Sequence, residues 1–393
     1  TMLRNRFSQL GLLLLLSAVT TLAIAAPPPG KGGGNGGGGG DDGGSGSGTG
    51  PAFALEILDI PGTVRDFNDS GDVLIEIDVI VGSSRQFTYV LATLDSGSRS
   101  FETVQLPPGW TELDLEAMNN SRQLVGRAVY DPAGDGVDAD QDGQLDPGDI
   151  ASAGVCITPD ANDDGIWELA VIFPGPLSGM CHQINNDGDI VGQDDFEEGN
   201  ILYRPDLAWE PFPIYPFALQ VGNQLSDRDG NDDVIGINSG TFYTPRKYET
   251  KTGEVTVLPT FARATFLDAY AFTVNVFGEA VGRADTFPAM WSPSGEISRI
   301  PGWPKSKNAT GSAYGINSQG EIAITSSYEG AHLYSPVYGL VRIADAITNR
   351  EVIPEGYLVS RLFYINDATQ LAGTLNSDSG DPIPCVLHPV PQQ

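Results

Sequence analysis

Cysteine is nearly absent from this chain: three residues in 393, too few for a disulfide framework. Cys156 and Cys181 are candidates for one bridge in an oxidising compartment, or equally for buried thiols acting as small apolar side chains, and Cys385 is left over either way. Lysine is almost as scarce, with five residues, and histidine has three. His182, His332 and His388 fall in or beside strands of different repeats, so no zinc-type histidine pair forms, and no serine nucleophile elbow or phosphate loop is present. Basic charge is short overall. Lys and Arg together number 21 against 51 Asp and Glu, a net charge of −30, which repels nucleic acid and anionic membrane and favours cations. Long apolar runs are missing beyond residue 25, which excludes membrane insertion by a later helix.

The one apolar run, Leu10 to Ala23, follows Arg4 and Arg6 and leads into Ala23-Ile24-Ala25, the pattern of a signal peptide cleaved near Ala25. Its removal takes two Arg and no acid, moving the charge from −30 to −32. Residues 26–51 are a flexible linker rich in Gly, Ser and Asp. Residues 52–393 then form the expected folded part of a secreted, periplasmic or cell-surface protein, expected as a monomer.

What recurs there is a phrase: aliphatic, Asn, two spacers, often Gly, an acid or amide, an aliphatic pair, Gly. Ile184-Asn185-Asn186-Asp187-Gly188-Asp189-Ile190-Val191-Gly192 is one copy and Val274-Asn275-Val276-Phe277-Gly278-Glu279-Ala280-Val281-Gly282 another. Looser copies centre on Asn68, Asn119, Asp229, Asn317 and Asn366, giving spacings of 51, 66, 44, 46, 42 and 49 residues. That period fits four strands and their turns. A strand ends at the Asn, a second follows the turn, a third ends in aromatic-x-Pro (Tyr203-Arg204-Pro205, Tyr243-Thr244-Pro245, Trp291-Ser292-Pro293, Tyr334-Ser335-Pro336), and a fourth follows Gly. Third strands apolar on both faces imply sheets stacked face to face. The expectation is an all-β, seven-bladed propeller of four-stranded antiparallel blades. The seventh copy lacks a fourth strand and a spare one precedes the first, so residues 53–60 should complete the last blade and close the ring.

The Asn-x-x-Gly phrase followed by an aromatic-x-Pro strand resembles the HAF-repeat proteins of bacteria over about residues 52–390. Pro288-Ala289-Met290 and Ala331-His332-Leu333 stand where that family has its His-Ala-Phe triplet. The resemblance implies an exported repeat protein and no shared catalytic set.

The longest spacing holds an insertion at 130–150. Asp138, Asp140, Asp142, Gln144, Asp146 and Asp149 occupy positions 1, 3, 5, 7, 9 and 12 of an acidic loop, with Gly143 at 6 permitting the sharp turn. Hard Ca²⁺ needs several oxygens at once, and five carboxylates in twelve residues repel one another without a cation. The spacing resembles EF-hand, dockerin and thrombospondin type 3 loops; Asp149 in place of Glu and the lack of flanking amphipathic helices imply a structural ion.

Trp110, Tyr215 and Trp303 are the candidate ligand-binding residues, aromatic platforms beside acidic loops that suit sugar rings. Trp110 and Trp303 both recur in Pro-Gly-Trp, which also fits packing. Two functions follow. One is a calcium-stabilised, non-catalytic module for an extracellular polysaccharide or protein. The other is a propeller glycosidase or lyase using carboxylates on one face.

Overall fold

Each Asn-x-x-Gly phrase joins the first and second strands of a four-stranded antiparallel sheet, and seven such sheets make a seven-bladed β-propeller. The computed structural model describes residues 50–391 apart from 82–83, 96, 132–150, 160–165, 174–178, 195–198, 206–209, 212–223, 229–232, 234, 239–244, 262–268, 307, 327–329 and 378–380. The inner strands, each at one edge of its sheet, are Thr63–Phe67, Trp110–Met118, Gly179–Ile184, Gln224–Leu225, Ala269–Val274, Gly311–Ile316 and Leu358–Ile365. Among the described residues the only α-helix is one turn, Ile343–Ala346, between blades six and seven. None of the described helices is long and apolar enough to cross a membrane.

The core lies between blades. One cluster unites Leu74, Tyr89 and Leu91 of blade one with Leu115, Leu124, Val155 and Trp167 of blade two. Sheets buried on both faces require strands without strict alternation, which is what the third strands have. Cys156 and Cys181 share one such cluster, and all three cysteines are free and buried. Burial pushes the Cys156 thiol up to about 11 and the Cys385 thiol up to about 12.

Closure follows the expected route. Ala52–Ile57 pairs with Ile383–Val390 as the outer strand of blade seven, from Ala52 opposite Val390 to Ile57 opposite Cys385. The outer edge of this strand is itself covered. The Asn349 side chain accepts from the Leu55 N–H (2.8 Å) and donates to the Leu55 carbonyl (2.9 Å), imitating one more strand. Glu56 takes two hydrogen bonds from Arg99 of blade one (2.9 and 2.8 Å) and contacts His388 at 2.8 Å.

The repeated Asn is more than a turn former. Asn185 Oδ1 accepts from the N–H groups of Asp187 and Asp189, while Nδ2 donates to the Asp189 carboxylate and to the Ser226 carbonyl of the next blade. The acid or amide four residues on is therefore the acceptor that completes the Asn amide. Asn68, Asn119, Asn275, Asn317 and Asn366 repeat the pattern, and Asn366 donates to the Asn68 carbonyl, so the chain of staples runs back to its start. Positive φ falls on the fourth residue: Gly71, Gly188, Gly278 and Gly320, with Arg122 and Thr369 forced into the same conformation in blades two and seven. Arg122 uses the position to reach back to Asp72 of blade one at 2.9 Å.

Blade four departs from the sequence reading in two places. Ser226, not Asp229, holds the ring position: it receives the Asn185 amide, and its Oγ accepts from the Ile235 N–H at 2.9 Å as Asn Oδ1 does elsewhere. Asp229 itself lies outside the described residues. The third strand is Arg246–Glu249, after Tyr243-Thr244-Pro245 rather than ending in it, so Tyr248 holds the place of Trp291. Eight residues, 227–234, separate Ser226 from its second strand, against four after the Asn in the other blades. Having no amide, Ser226 sends no staple to blade five, and the nearly buried Lys247 reaches the Pro293 carbonyl there instead. Ser226→Asn should restore the missing staple and raise the melting temperature by about 1–2 °C, as one added buried hydrogen bond of about 1 kcal/mol does in a folded part of about 340 residues. A calorimetric scan showing no change or a fall would mean the longer turn cannot present the amide.

Candidate functional site: the central channel

A second irregularity recurs beside the first. In six inner strands the register slips three residues before the ring position, at Arg65, Glu116, His182, Phe272, Tyr314 and Phe363. The corresponding residue of blade four, Asn223, lies outside the described residues. A β-bulge leaves one residue unpaired and re-aims its side chain. On an inner edge strand the open side is the channel, so the bulges make a belt around it. These residues do not repeat: blades one to three contribute Arg, Glu and His, and blades five to seven contribute Phe, Tyr and Phe.

The aromatic half is continuous. Phe272 and Tyr314 stack with centroids 5.0 Å apart, and Tyr314 meets Phe363 edge to face at 5.3 Å. Tyr364, next to Phe363, donates its hydroxyl to the Arg65 carbonyl and ties the arc to blade one. On the charged half, Arg65 gives Nε to Glu76 at 2.9 Å and brings Nη2 to the same oxygen. The Tyr89 hydroxyl donates to Glu76 at 2.9 Å, with Asp114 at 3.3 Å. Asp66 is buried and accepts from Phe67 (2.8 Å) and Met118 (2.6 Å) backbone N–H groups; burial outweighs those bonds and pushes its carboxyl up to about 7. Burial also raises Glu116 to about 6, with Arg65 opposing and Asp114 and Glu76 adding to the rise.

The ring turns and the strand ends that lead into them line a cavity of ≈ 180 Å³. Here the residues after each Asn form a second circuit across blades: Asn120 Oδ1 accepts from Asp69 N–H, Asn186 Oδ1 from Asn120 N–H and Asp227 Oδ1 from Asn186 N–H. Val276 in blade five has no polar side chain and interrupts it. The repeated phrase thus borders the channel, which its turn geometry alone does not reveal.

Of the residues singled out from sequence only Trp110 and Trp303 are described, and they lie elsewhere. Asp138, Asp140, Asp142, Gln144, Asp146 and Asp149 all fall outside the described residues; the structure places their segment between the second and third strands of blade two, Leu124–Tyr130 and Ala151–Thr158. No group of three or more metal-ligating side chains occurs among the described residues. Tyr215 is also outside them. Trp303 is only 6 % exposed, donates its indole N–H to Ala309 at 2.8 Å and packs edge to face on His332 at 5.4 Å. It is a packing residue, contrary to a ligand platform. Trp110 is half-buried, edge to face with Tyr130 at 5.2 Å. The two Trp do occupy the same turn, since each N–H bonds the carbonyl three residues back. They are not brought together with one another or into the belt. The signal that finds the belt is the residue three before each Asn: it varies freely while its neighbours repeat.

No family model matches the chain, and no curated protein matches it. Solved structures similar to it include virginiamycin B lyase from Staphylococcus aureus (12% identity, TM-score 0.47, covering 86% of this chain and 100% of that one). Others are YCF48 bound to D1 peptide (11%, 0.49, 88% and 100%) and the β-propeller domain of the Trilobed protease from Pyrococcus furiosus (9%, 0.46, 86% and 94%). At such identities and overlaps these carry no argument about function.

Proposed function

We propose that this protein is an exported propeller that binds an extracellular polymer, a carbohydrate first and a protein second, at the channel mouth without turning it over. The belt of bulges carries the reading. Six blades repeat the same bulge on the inner strand, the one that borders the channel, and the residues at the bulges are the part of the blade that does not repeat. Aromatic faces stack on sugar rings while carboxylates and Arg65 meet hydroxyls. Binding measured on a glycan array and by calorimetry should fall at least tenfold in Tyr314→Ala, with the fold intact by circular dichroism. Unchanged binding in that variant would place the ligand elsewhere.

A catalytic reading has one observation in its favour: Glu116, raised to about 6, is poised for proton transfer near neutral pH. Release of sugars from a polysaccharide panel, abolished in Glu116→Gln, would convert the binding module into a glycosidase or lyase. The acidic insertion is proposed as a structural calcium site. EGTA should lower the melting temperature of the native chain and leave that of an Asp138→Ala, Asp149→Ala double variant unchanged; equal responses would remove the assignment.

A further inference from the structure

The charges on blades one and two do not balance. Among the described residues the ion pairs of Asp66, Glu76, Asp114 and Glu116 are two, Arg65 with Glu76 and Arg127 with Asp114, the latter at 3.9 Å. Arg65 commits its guanidinium to Glu76. Among the described residues no hydrogen bond reaches the Glu116 carboxyl, although it is half-buried and sits on the bulge. The raised carboxyls of Asp66 and Glu116 are the expected response to burial where cations are too few. The Tyr364 ring lies 6.2 Å from Phe363 and its hydroxyl donates to the carbonyl of Arg65, the neighbour of Asp66, which sets the end of the aromatic arc beside this deficit.

Aromatic faces attract cations, because the ring quadrupole is negative above the plane. The inner strand of blade five already shows it: the Arg283 guanidinium lies over the Tyr270 ring at 4.8 Å, and Tyr270 stacks with Phe272 at the start of the arc. A neutral sugar would use the arc and leave Glu116 without a partner. A uronic acid would add a charge of the wrong sign. A group with an apolar body and one positive charge fits both walls.

Resting on the channel as the seat of binding, we infer that the group it receives is a protonated amine, its body against Phe272, Tyr314 and Phe363 and its charge at Glu116. Amino sugars and lysine side chains share this chemistry.

Three small probes separate the cases by calorimetry on the full chain at pH 7.5: a glucosamine trimer, its N-acetylated counterpart and a Lys-Lys dipeptide. The glucosamine trimer should bind at least tenfold more tightly than the acetylated one. Glu116→Gln, which loses no hydrogen bond, and Phe363→Leu should each abolish that preference. The same loss in Glu296→Gln, an exposed acid leading into the outer strand Ile297–Arg299 of blade five, would mean attraction to overall charge and overturn the inference. Equal binding of the free and acetylated trimers would overturn it while leaving the channel a binding site. Binding of the dipeptide alone would support the amine and identify its source as protein. No binding by any probe, together with none on the glycan array, would overturn the channel as the seat itself.

Discussion

A chain shortened to begin at Pro61 should lose most of its stability, unfolding about 7–13 °C lower or without a cooperative transition. The closing strand buries Phe53, Leu55 and Leu58, each no more than 4% exposed. At about 1.5–3 kcal/mol per side chain these alone supply roughly 5–9 kcal/mol, comparable to the whole stability of an ordinary domain. The strand also removes two free sheet edges. A point substitution tests the same seam more finely. Arg99→Ala leaves Glu56 with a buried charge and should cost about 3–5 kcal/mol, whereas Glu56→Gln with Arg99→Gln should recover part of that. Burial by itself would raise the Glu56 carboxyl, but hydrogen bonds from Arg99 and His388 outweigh it and hold the pKa at about 2. A depressed carboxyl stabilises the fold above its unfolded value near 4.5, and that contribution, about 3 kcal/mol, disappears as the pH falls toward 2. Acid titration of the native chain should therefore show an unfolding slope in that window that Glu56→Gln lacks. A truncated chain melting within 3 °C of the native one would mean the ring holds without its clasp.

Why the seam was visible in sequence and the channel was not comes down to what each feature repeats. Blade count and closure follow from period and from a fourth-type strand at the wrong end of the chain, both carried by apolar side chains that must recur for sheets to stack. Blade four escaped this logic because Ser226 replaces Asn and its turn is longer, so the nearest Asn-like residue by spacing, Asp229, took the anchor. The belt is invisible to the same logic, since a bulge is a backbone event and Arg65, Glu116 and Phe272 share no chemistry that would align them. Pro-Gly-Trp, by contrast, stood out as a motif and led to Trp303. That residue recurs because Gly302, at φ 81°, turns the chain and the indole fills the space behind it. Repetition marks what the scaffold needs; here the channel side chains sit where repetition stops.

The staple ring makes the sharpest distinction between near-identical side chains. Asn317 is 4% exposed and makes four hydrogen bonds: Oδ1 accepts from Gln319 and Glu321 N–H, and Nδ2 donates to the Glu321 carboxylate and the Asn366 carbonyl. Asn317→Ala leaves the Gln319 and Glu321 N–H groups without partners inside the fold and takes one of two donors from the Asn366 carbonyl, which keeps the Thr369 N–H; this should cost about 2–4 kcal/mol. Asn317→Asp keeps the two acceptor bonds and so looks milder by shape. Its second oxygen, however, then faces the Glu321 carboxylate and the Asn366 carbonyl, two acceptors to which it can donate nothing and which repel it. At neutral pH the Asp variant should therefore be at least as unstable as the Ala variant. Protonation restores one donor, so its stability should recover relative to Ala as the pH falls toward 5, where the closing salt bridge at Glu56 is still intact. Denaturant melts of the two variants at pH 5 and pH 8 decide the matter. A pH-independent difference between them would mean the amide acts only as a turn former. A crossing would show that what binds each blade to the next is the donor half of one side chain.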